Sequence, residues 1–356
     1  MRSQKPIRRV TLSDRIGVAV VGTGYATECL HLPSLTRIPQ VRLVAIVTRN
    51  EDKGKLVARR FGIESYYTDF DQVLKREDVQ IIDINLPTFL HKEYVVRGAE
   101  AGKHVLCEKP MATTLREADE MIDAIRSAGT KLMIAHVLRF WPDYVKVKQL
   151  VQDGYVGEAV AARAKRIPGP GYPWEGMPEE ARGSPHWKAE ADKGGGILDL
   201  QVHDIDYLRY LFSSPIEVVS AFGGRLAGKT IDALDHCFAI FRLKDGKVWE
   251  VVSSWVRPIE CPFIQNLEVY GSEGYLVLDN QTCPSLTLYA KDGSTLRIQP
   301  PKTDGYFDEI QHFVKCVLED RPPSIAPEDS RASLEASLAA ARSVQTMKPV
   351  FLPLTE

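Results

Sequence analysis

The stretch that most constrains the fold is Ile16-Gly17-Val18-Ala19-Val20-Val21, which runs directly into Gly22-Thr23-Gly24-Tyr25-Ala26-Thr27. A continuous apolar, β-branched run suits a strand buried on both faces of a parallel sheet. A strand, a Gly-x-Gly turn and a helix together make a phosphate cradle: Gly22 allows the tight turn, and Gly24 lets a pyrophosphate approach the helix N-terminus. The motif departs from the dinucleotide fingerprint at Thr27, where Gly or Ala would give close helix-strand packing. Two more apolar runs, Val41 to Val47 and Val79 to Leu86, follow with helical patterns such as Lys53 to Phe61 between them. Alternating strands and helices imply a doubly wound parallel sheet whose ligand sits outside the carboxyl ends of the strands. A dinucleotide is the expected ligand, with a methyltransferase-type glycine loop as the main rival.

Strands are also expected at His104 to Cys107 and Lys131 to Ala135, bracketing a helix from Leu115 to Ala128. Ala118, Met121, Ile122 and Ile125 recur there at helical spacing, and Gly129 is placed to end the helix. The strand at His104 leads into Glu108-Lys109-Pro110, so Lys109 either points to the same rim as the glycine turn or is a surface lysine in a proline-set turn.

After about His136 the texture changes to strands joined by tight turns. Asp235 to Leu243 and Lys247 to Val256 read as a hairpin around Asp245-Gly246, because Asp-Gly suits a two-residue turn with positive φ. Gln265 to Tyr270, Tyr275 to Asp279, Ser285 to Tyr289 and Ser294 to Gln299 continue an open, mainly antiparallel sheet. The expected domains are therefore 1–135, a dinucleotide-binding α/β domain, and 136–356, a second α/β domain whose C-terminal tail is a candidate to pack back on the first. All five tryptophans (Trp141, Trp174, Trp187, Trp249, Trp255) fall in the second, as core packing or as sugar-stacking platforms.

The most informative stretch there is Gly194-Gly195-Gly196 followed by a helical pattern to Phe212. Leu198, Val202, Ile205, Leu208 and Phe212 form one apolar face, while Asp199, His203, Asp206 and Tyr210 line up as a polar stripe. Buried charge is costly unless paired or used, so the stripe should face a cleft or solvent. A weaker alternative joins His203 and Asp206 with Asp235-His236 as a metal site, but no paired-histidine motif supports it.

Composition closes off other classes. The 356 residues suggest about two domains. With 45 Lys plus Arg against 47 Asp plus Glu there is no basic field for nucleic acid. No apolar run of bilayer-spanning length occurs, so no membrane partner is expected. Six scattered cysteines without a C-x-x-C pair fit reduced thiols in a cytoplasm. Ile7-Arg8-Arg9-Val10-Thr11-Leu12 resembles a twin-arginine export signal, but the only apolar run nearby, Ile16 to Val21, is too short for an h-region.

Taken together, Gly22-Thr23-Gly24, Asp83-Ile84-Asn85-Leu86-Pro87-Thr88 with His91, Glu108-Lys109-Pro110, Arg139-Phe140, and Gly194-Gly195-Gly196 with Asp199 and His203 resemble the glucose-fructose oxidoreductase, inositol dehydrogenase and rhizopine catabolism (Gfo/Idh/MocA) family. The resemblance runs from Ile16 to Pro353. It implies a Rossmann domain carrying NADP or NAD, an open sheet used for homodimer or homotetramer contacts, and a sugar or cyclitol as substrate. It also implies a catalytic set of Lys109, Asp199 and His203, with His203 as general base, Lys109 stabilising alkoxide charge and Asp199 holding substrate and orienting His203. The expected cofactor residues are Gly22, Gly24, Tyr25 and Ala26 in the turn; Thr48 and Arg49 after the second strand; Leu86, Pro87, Thr88 and His91 after the third; and Glu108 and Lys109. Gln201 departs from the small residue usual in D-x-G-x-H, which bears on the shape of the pocket. Thr48-Arg49-Asn50 offers no carboxylate to repel a 2′-phosphate, which favours NADP. Two other activities are compatible with the same fold: a glycosidase that oxidises and re-reduces its sugar on a held NAD, and a non-catalytic sugar and nucleotide sensor.

Overall fold

The computed structural model describes residues 15–168, 188, 190–226, 232–255 and 261–355. The segment 7–12, Trp174, Trp187 and Val256 lie outside the described residues. Two compact units emerge, 1–135 with 304–331, and 136–303 with 332–356.

The first unit is built on six parallel strands, β1 (Ile16–Val21), β2 (Val41–Val47), β3 (Ser65–Tyr67), β4 (Ile81–Ile84), β5 (His104–Glu108) and β6 (Leu132–Ala135), in the order β3-β2-β1-β4-β5-β6. This is the doubly wound nucleotide-binding order, with its switch point between β1 and β4. All six residues of β1 are buried, as its apolar run requires. Local chemistry fixes the helix ends. The Asn50 side chain accepts the Lys53 N–H at 3.0 Å to start helix Glu51–Phe61. Thr114 caps Leu115–Ala128 by accepting the Glu117 N–H at 3.2 Å, and Glu117 reaches back to the Thr113 N–H at 3.0 Å. Such reciprocal capping satisfies donors that the first turn of a helix leaves open. β3 escaped the sequence reading because three residues carry too little periodicity.

Residues 304–331, which the sequence reading ran on from the second domain, pack with the first unit. Asp304 accepts backbone N–H groups to cap helix Gly305–Leu318, and its carboxylate pairs with Arg37 at 2.7 Å. Lys131 meets Asp320 at 2.8 Å, and Arg331 grips Asp119 through two bonds of 2.6 and 3.1 Å.

The second unit holds a nine-stranded sheet of β7 (Ala159–Ile167), β8 (Ile216–Gly224), β9 (His236–Leu243), β10 (Val248–Ser254), β11 (Ile264–Gly271), β12 (Gly274–Asp279), β13 (Leu286–Ala290), β14 (Thr295–Ile298) and β15 (Val350–Phe351). The order is β14-β13-β12-β11-β7-β10-β9-β8-β15, and among the described residues the one parallel pairing is β7 with β10. β7 was not foreseen. Its middle is a run of alanines punctuated by Arg163, Lys165 and Arg166, with β-branched Val160 and Ile167 only near its ends, yet Ala162, Ala164 and Arg166 alternate inward at period two. The inner face carries Phe241, Trp249, Val251, Leu267 and Leu276, packed against Tyr144, Tyr207 and Leu208. Trp249 and Trp255 are therefore core residues. The outer face exposes Phe222, Phe238, Ile240, Tyr270 and Tyr289.

Candidate active site

In the first unit, β1, β2, β4 and β5 end at one edge of the sheet. Gly22 donates its N–H to the Val47 carbonyl at 2.9 Å and sits at φ +109, a conformation that disfavours side chains. A Cβ there would lie 2.3 Å from the Asn85 carbonyl, so the turn closes only with glycine. Gly24 has open space on its Cβ side. Tyr25 is exposed, and Ala26 opens a wide helical turn, Ala26–His31, that continues as Leu32–Leu35. Thr27, the departure from the fingerprint, is fully buried, and its hydroxyl finds no hydrogen-bond partner among the described residues. The extra Cγ and Oγ are accommodated by widening that turn rather than by close packing of a regular one.

At the end of β2, Thr48 is half-buried and Arg49 exposed, and the Thr48 hydroxyl lies 3.0 Å from that of Thr23. After β4, Leu86 and Pro87 are half-buried, and buried Thr88 starts helix Thr88–Glu100. His91 on that helix is fully buried, with Nδ1 2.8 Å from the Pro110 carbonyl and Nε2 2.8 Å from the Leu86 carbonyl. Burial pushes the His91 imidazole below its ordinary pKa, despite both carbonyls. Lys109 follows β5 at the same edge, half-buried and one residue before buried Pro110. A glycine-only turn beside an open approach at Gly24, flanked by a hydroxyl and a cation at the end of β2, fits a dinucleotide.

In the second unit, the polar stripe lies on the helix Ile197–Phe212. Its entry needs Gly196 at φ +66, because a Cβ there would lie 2.2 Å from the Leu234 carbonyl. The Trp255 indole donates to the Gly196 carbonyl at 3.0 Å and fixes the turn from the sheet side. Asp199 is buried in the first turn and accepts Lys188 Nζ at 2.9 Å. His203, one turn on, is half-buried.

The polar stripe does not face a cleft or solvent along its whole length. Asp206 is fully buried and bound at 2.8 Å by both Arg139 Nε and Nη2, with Ser333 Oγ donating at 3.0 Å. Burial would raise its pKa, but His136, Arg139 and Ser333 hold it below the usual carboxylate range. Tyr210 lies under the same guanidinium, 4.8 Å away. Asp206 and Tyr210 thus anchor the helix, and the lower half of the stripe is structural. Asp204, which the sequence reading did not single out, is also buried and paired with Arg166 at 2.7 and 3.0 Å. Its signal was a charged residue at the margin of the apolar face with an arginine on a strand that was not anticipated.

Two residues of the metal alternative, Asp235 and His236, have other partners. Asp235 accepts the Leu226 N–H with both oxygens at 2.9 Å, and His236 Nδ1 lies 2.9 Å from Ser254 Oγ. Among the described residues no group of three or more His, Cys, Asp and Glu could hold a metal ion. Gln201 is fully buried and donates to the Ser337 carbonyl at 3.1 Å, so this departure from the family pattern is absorbed by packing within its own unit. Among the described residues no helix is long and apolar enough to cross a membrane.

The glycine turn, the switch point and the Lys109 rim define a nicotinamide-dependent oxidoreductase, and residues 16–136 match the oxidoreductase family with an NAD-binding Rossmann fold. Residues 144–277 match the Gfo/Idh/MocA C-terminal domain, and the chain belongs to the Gfo/Idh/MocA family. It is 28% identical to the myo-inositol 2-dehydrogenase of Thermotoga maritima, over 94% of this chain and 98% of that one. It is 30% identical to the 2,7-anhydro-N-acetylneuraminate hydratase of Mediterraneibacter gnavus, over 75% of this chain and 68% of that one. The aldose-aldose oxidoreductase of Caulobacter crescentus, solved with glycerol, superposes with a TM-score of 0.83 at 25% identity, over 95% of this chain and 100% of that one.

Proposed function

We propose that the protein oxidises a hydroxyl of a sugar or cyclitol to a carbonyl, with NADP preferred over NAD. The observation that carries the reading is the pair Asp199 and His203, one turn apart on a helix that buried ion pairs at Asp204 and Asp206 hold in place. A rigid helix is what a general base and its orienting carboxylate require.

Oxidation of a CH–OH group releases a proton from oxygen and a hydride from carbon as the C=O bond forms. When bound, the nicotinamide accepts that hydride. His203 takes the hydroxyl proton as general base. Lys109 hydrogen-bonds the same oxygen and stabilises the charge that develops there. Asp199 accepts hydrogen bonds from the substrate and orients the imidazole; Lys188 pairs with the carboxylate in its buried position. In the first unit, Gly22, Gly24, Tyr25 and Ala26 receive the pyrophosphate, Leu86, Pro87, Thr88 and His91 border the nicotinamide side, and Thr48 and Arg49 take the adenosine ribose with its phosphate. What supports the NADP preference is that no carboxylate stands at Thr48-Arg49-Asn50, while an exposed guanidinium does.

The test is nicotinamide absorbance across a panel of aldoses, inositols and sugar acids with each oxidised cofactor. Reduction with at least one polyol, faster with NADP, is expected. Cleavage of glycosides with no net nicotinamide reduction would replace the reading with the glycosidase one.

A further inference from the structure

His31 has no part in the reaction described above, yet it is buried between two carboxylates in the first unit. It ends the helical turn that follows the glycine motif and is fully buried. Its Nδ1 lies 3.0 Å from both carboxylate oxygens of Asp83 on β4, and its Nε2 lies 3.1 Å from Glu108 Oε1 on β5. With carboxylates at both ring nitrogens, only an imidazolium donates to both. Burial opposes that charge, but Asp83 and Glu108 raise the imidazole pKa well above its ordinary value.

The network continues to the catalytic lysine. Glu108 Oε2 accepts the backbone N–H of Lys109 at 3.0 Å. The second oxygen of Asp83 accepts the Asn85 amide at 3.0 Å, and the carbonyl of Asn85 is what closes on Gly22. On the far side of the Glu108-Lys109-Pro110 segment, His91 holds the Pro110 carbonyl at 2.8 Å. The ends of β1, β4 and β5 are therefore joined through one buried cation, and the segment carrying Lys109 is gripped on both sides.

We propose that His31 is a positioning residue for Lys109: its imidazolium holds Glu108 between Asp83 and the Lys109 N–H, and so fixes the peptide from which the lysine side chain extends. The proposal rests on the assignment of Lys109 to the reaction. An amide at position 31 cannot supply a charge or reach both carboxylates. Asp83 and Glu108 would then face one another with no cation between them, and Glu108 would release the Lys109 amide.

The test compares wild type with His31→Gln. The expected result is exchange of the Lys109 amide hydrogen at least about tenfold faster, with the amides of Val105 to Cys107 in β5 unchanged. With a reactive polyol, kcat falls about ten- to a hundredfold while KM and nicotinamide affinity stay within about twofold, and the primary deuterium isotope effect on kcat rises. In wild type, nitrogen-15 histidine NMR shows both His31 nitrogens protonated at alkaline pH. If His31→Gln does not fold, Glu108→Ala cuts the same link while leaving His31 with Asp83, and the same selective gain in exchange at Lys109 is expected. Unchanged exchange at Lys109, a gain spread evenly over β5, or a neutral His31 above neutral pH overturns the proposal. If no polyol is oxidised by wild type, the functional reading fails alone, because the exchange and NMR readouts need no turnover.

Discussion

His104, the first residue of β5, makes the first unit sensitive to acid in a way that can be worked through. It is buried, and its Nδ1 accepts the Lys131 backbone N–H at 3.1 Å, so protonation there would break that bond inside the sheet. Burial and the nearby Lys131 charge, opposed by Asp320, lower its pKa to about 4. The sign follows from linkage: below about 6.5 the unfolded chain binds a proton that the folded chain refuses, so stability is lost as pH falls from about 6.5 to about 4. At about 1.36 kcal/mol per pH unit the full loss is about 3 kcal/mol, of which about 2.5 kcal/mol is expressed by about pH 4.5. His104→Gln keeps a carbonyl to accept the Lys131 N–H but does not titrate. Hydrogen exchange of the β5 and β6 amides follows the first unit directly, whereas tryptophan fluorescence reports only the second, where all five tryptophans lie. The protection of wild type relative to His104→Gln should fall by about 2.5 kcal/mol between neutral pH and about pH 4.5. A difference that stays flat within about 0.5 kcal/mol would falsify the placement of a neutral, buried His104.

Other expectations follow from the site and its supports. Lys109→Ala and His203→Ala should each lower kcat by about 100- to 10,000-fold with nicotinamide affinity nearly intact, read by steady-state kinetics and cofactor titration; near wild-type turnover in either contradicts its role. Arg49→Ala should weaken NADP binding about ten- to a hundredfold and leave NAD binding unchanged, and equal affinities in wild type would contradict the preference. Asp206→Ala strands the Arg139 guanidinium and should destabilise the second unit by about 3 to 5 kcal/mol in urea titrations followed by tryptophan fluorescence; a loss below about 1 kcal/mol means Arg139 has another counterion. The exposed aromatic and aliphatic side chains on the outer sheet face should pair with a second copy of the chain, giving a dimer or tetramer by light scattering at micromolar concentration, and only a monomer-sized species contradicts this.

The sequence revealed most where a single local rule was decisive. β1 and Gly22 were legible because an apolar run and a positive-φ turn each have one structural outcome, and helix Leu115–Ala128 because Ala118, Met121, Ile122 and Ile125 recur at helical spacing and Gly129 ends it. Partners set by long-range pairing were not legible. Asp206 and Tyr210 share helical spacing with Asp199 and His203, yet Arg139, about 70 residues upstream, engages the lower pair. His31 gave no sign of its charge, because Asp83 and Glu108 reach it from two strands far along the chain. β7 hid behind alanines whose role appears only once β10 and β11 flank it.

The central claim is net hydride transfer from a carbon-bound hydroxyl. Incubating the protein with an oxidised nicotinamide cofactor and an inositol or sugar deuterated at each CH–OH carbon, then weighing the nicotinamide product by mass spectrometry, tests it most directly. The account predicts reduced cofactor carrying one deuterium per turnover, with a matching ketone or lactone from the polyol. Reduced cofactor without label, or consumption of the sugar while the nicotinamide remains oxidised, would contradict it.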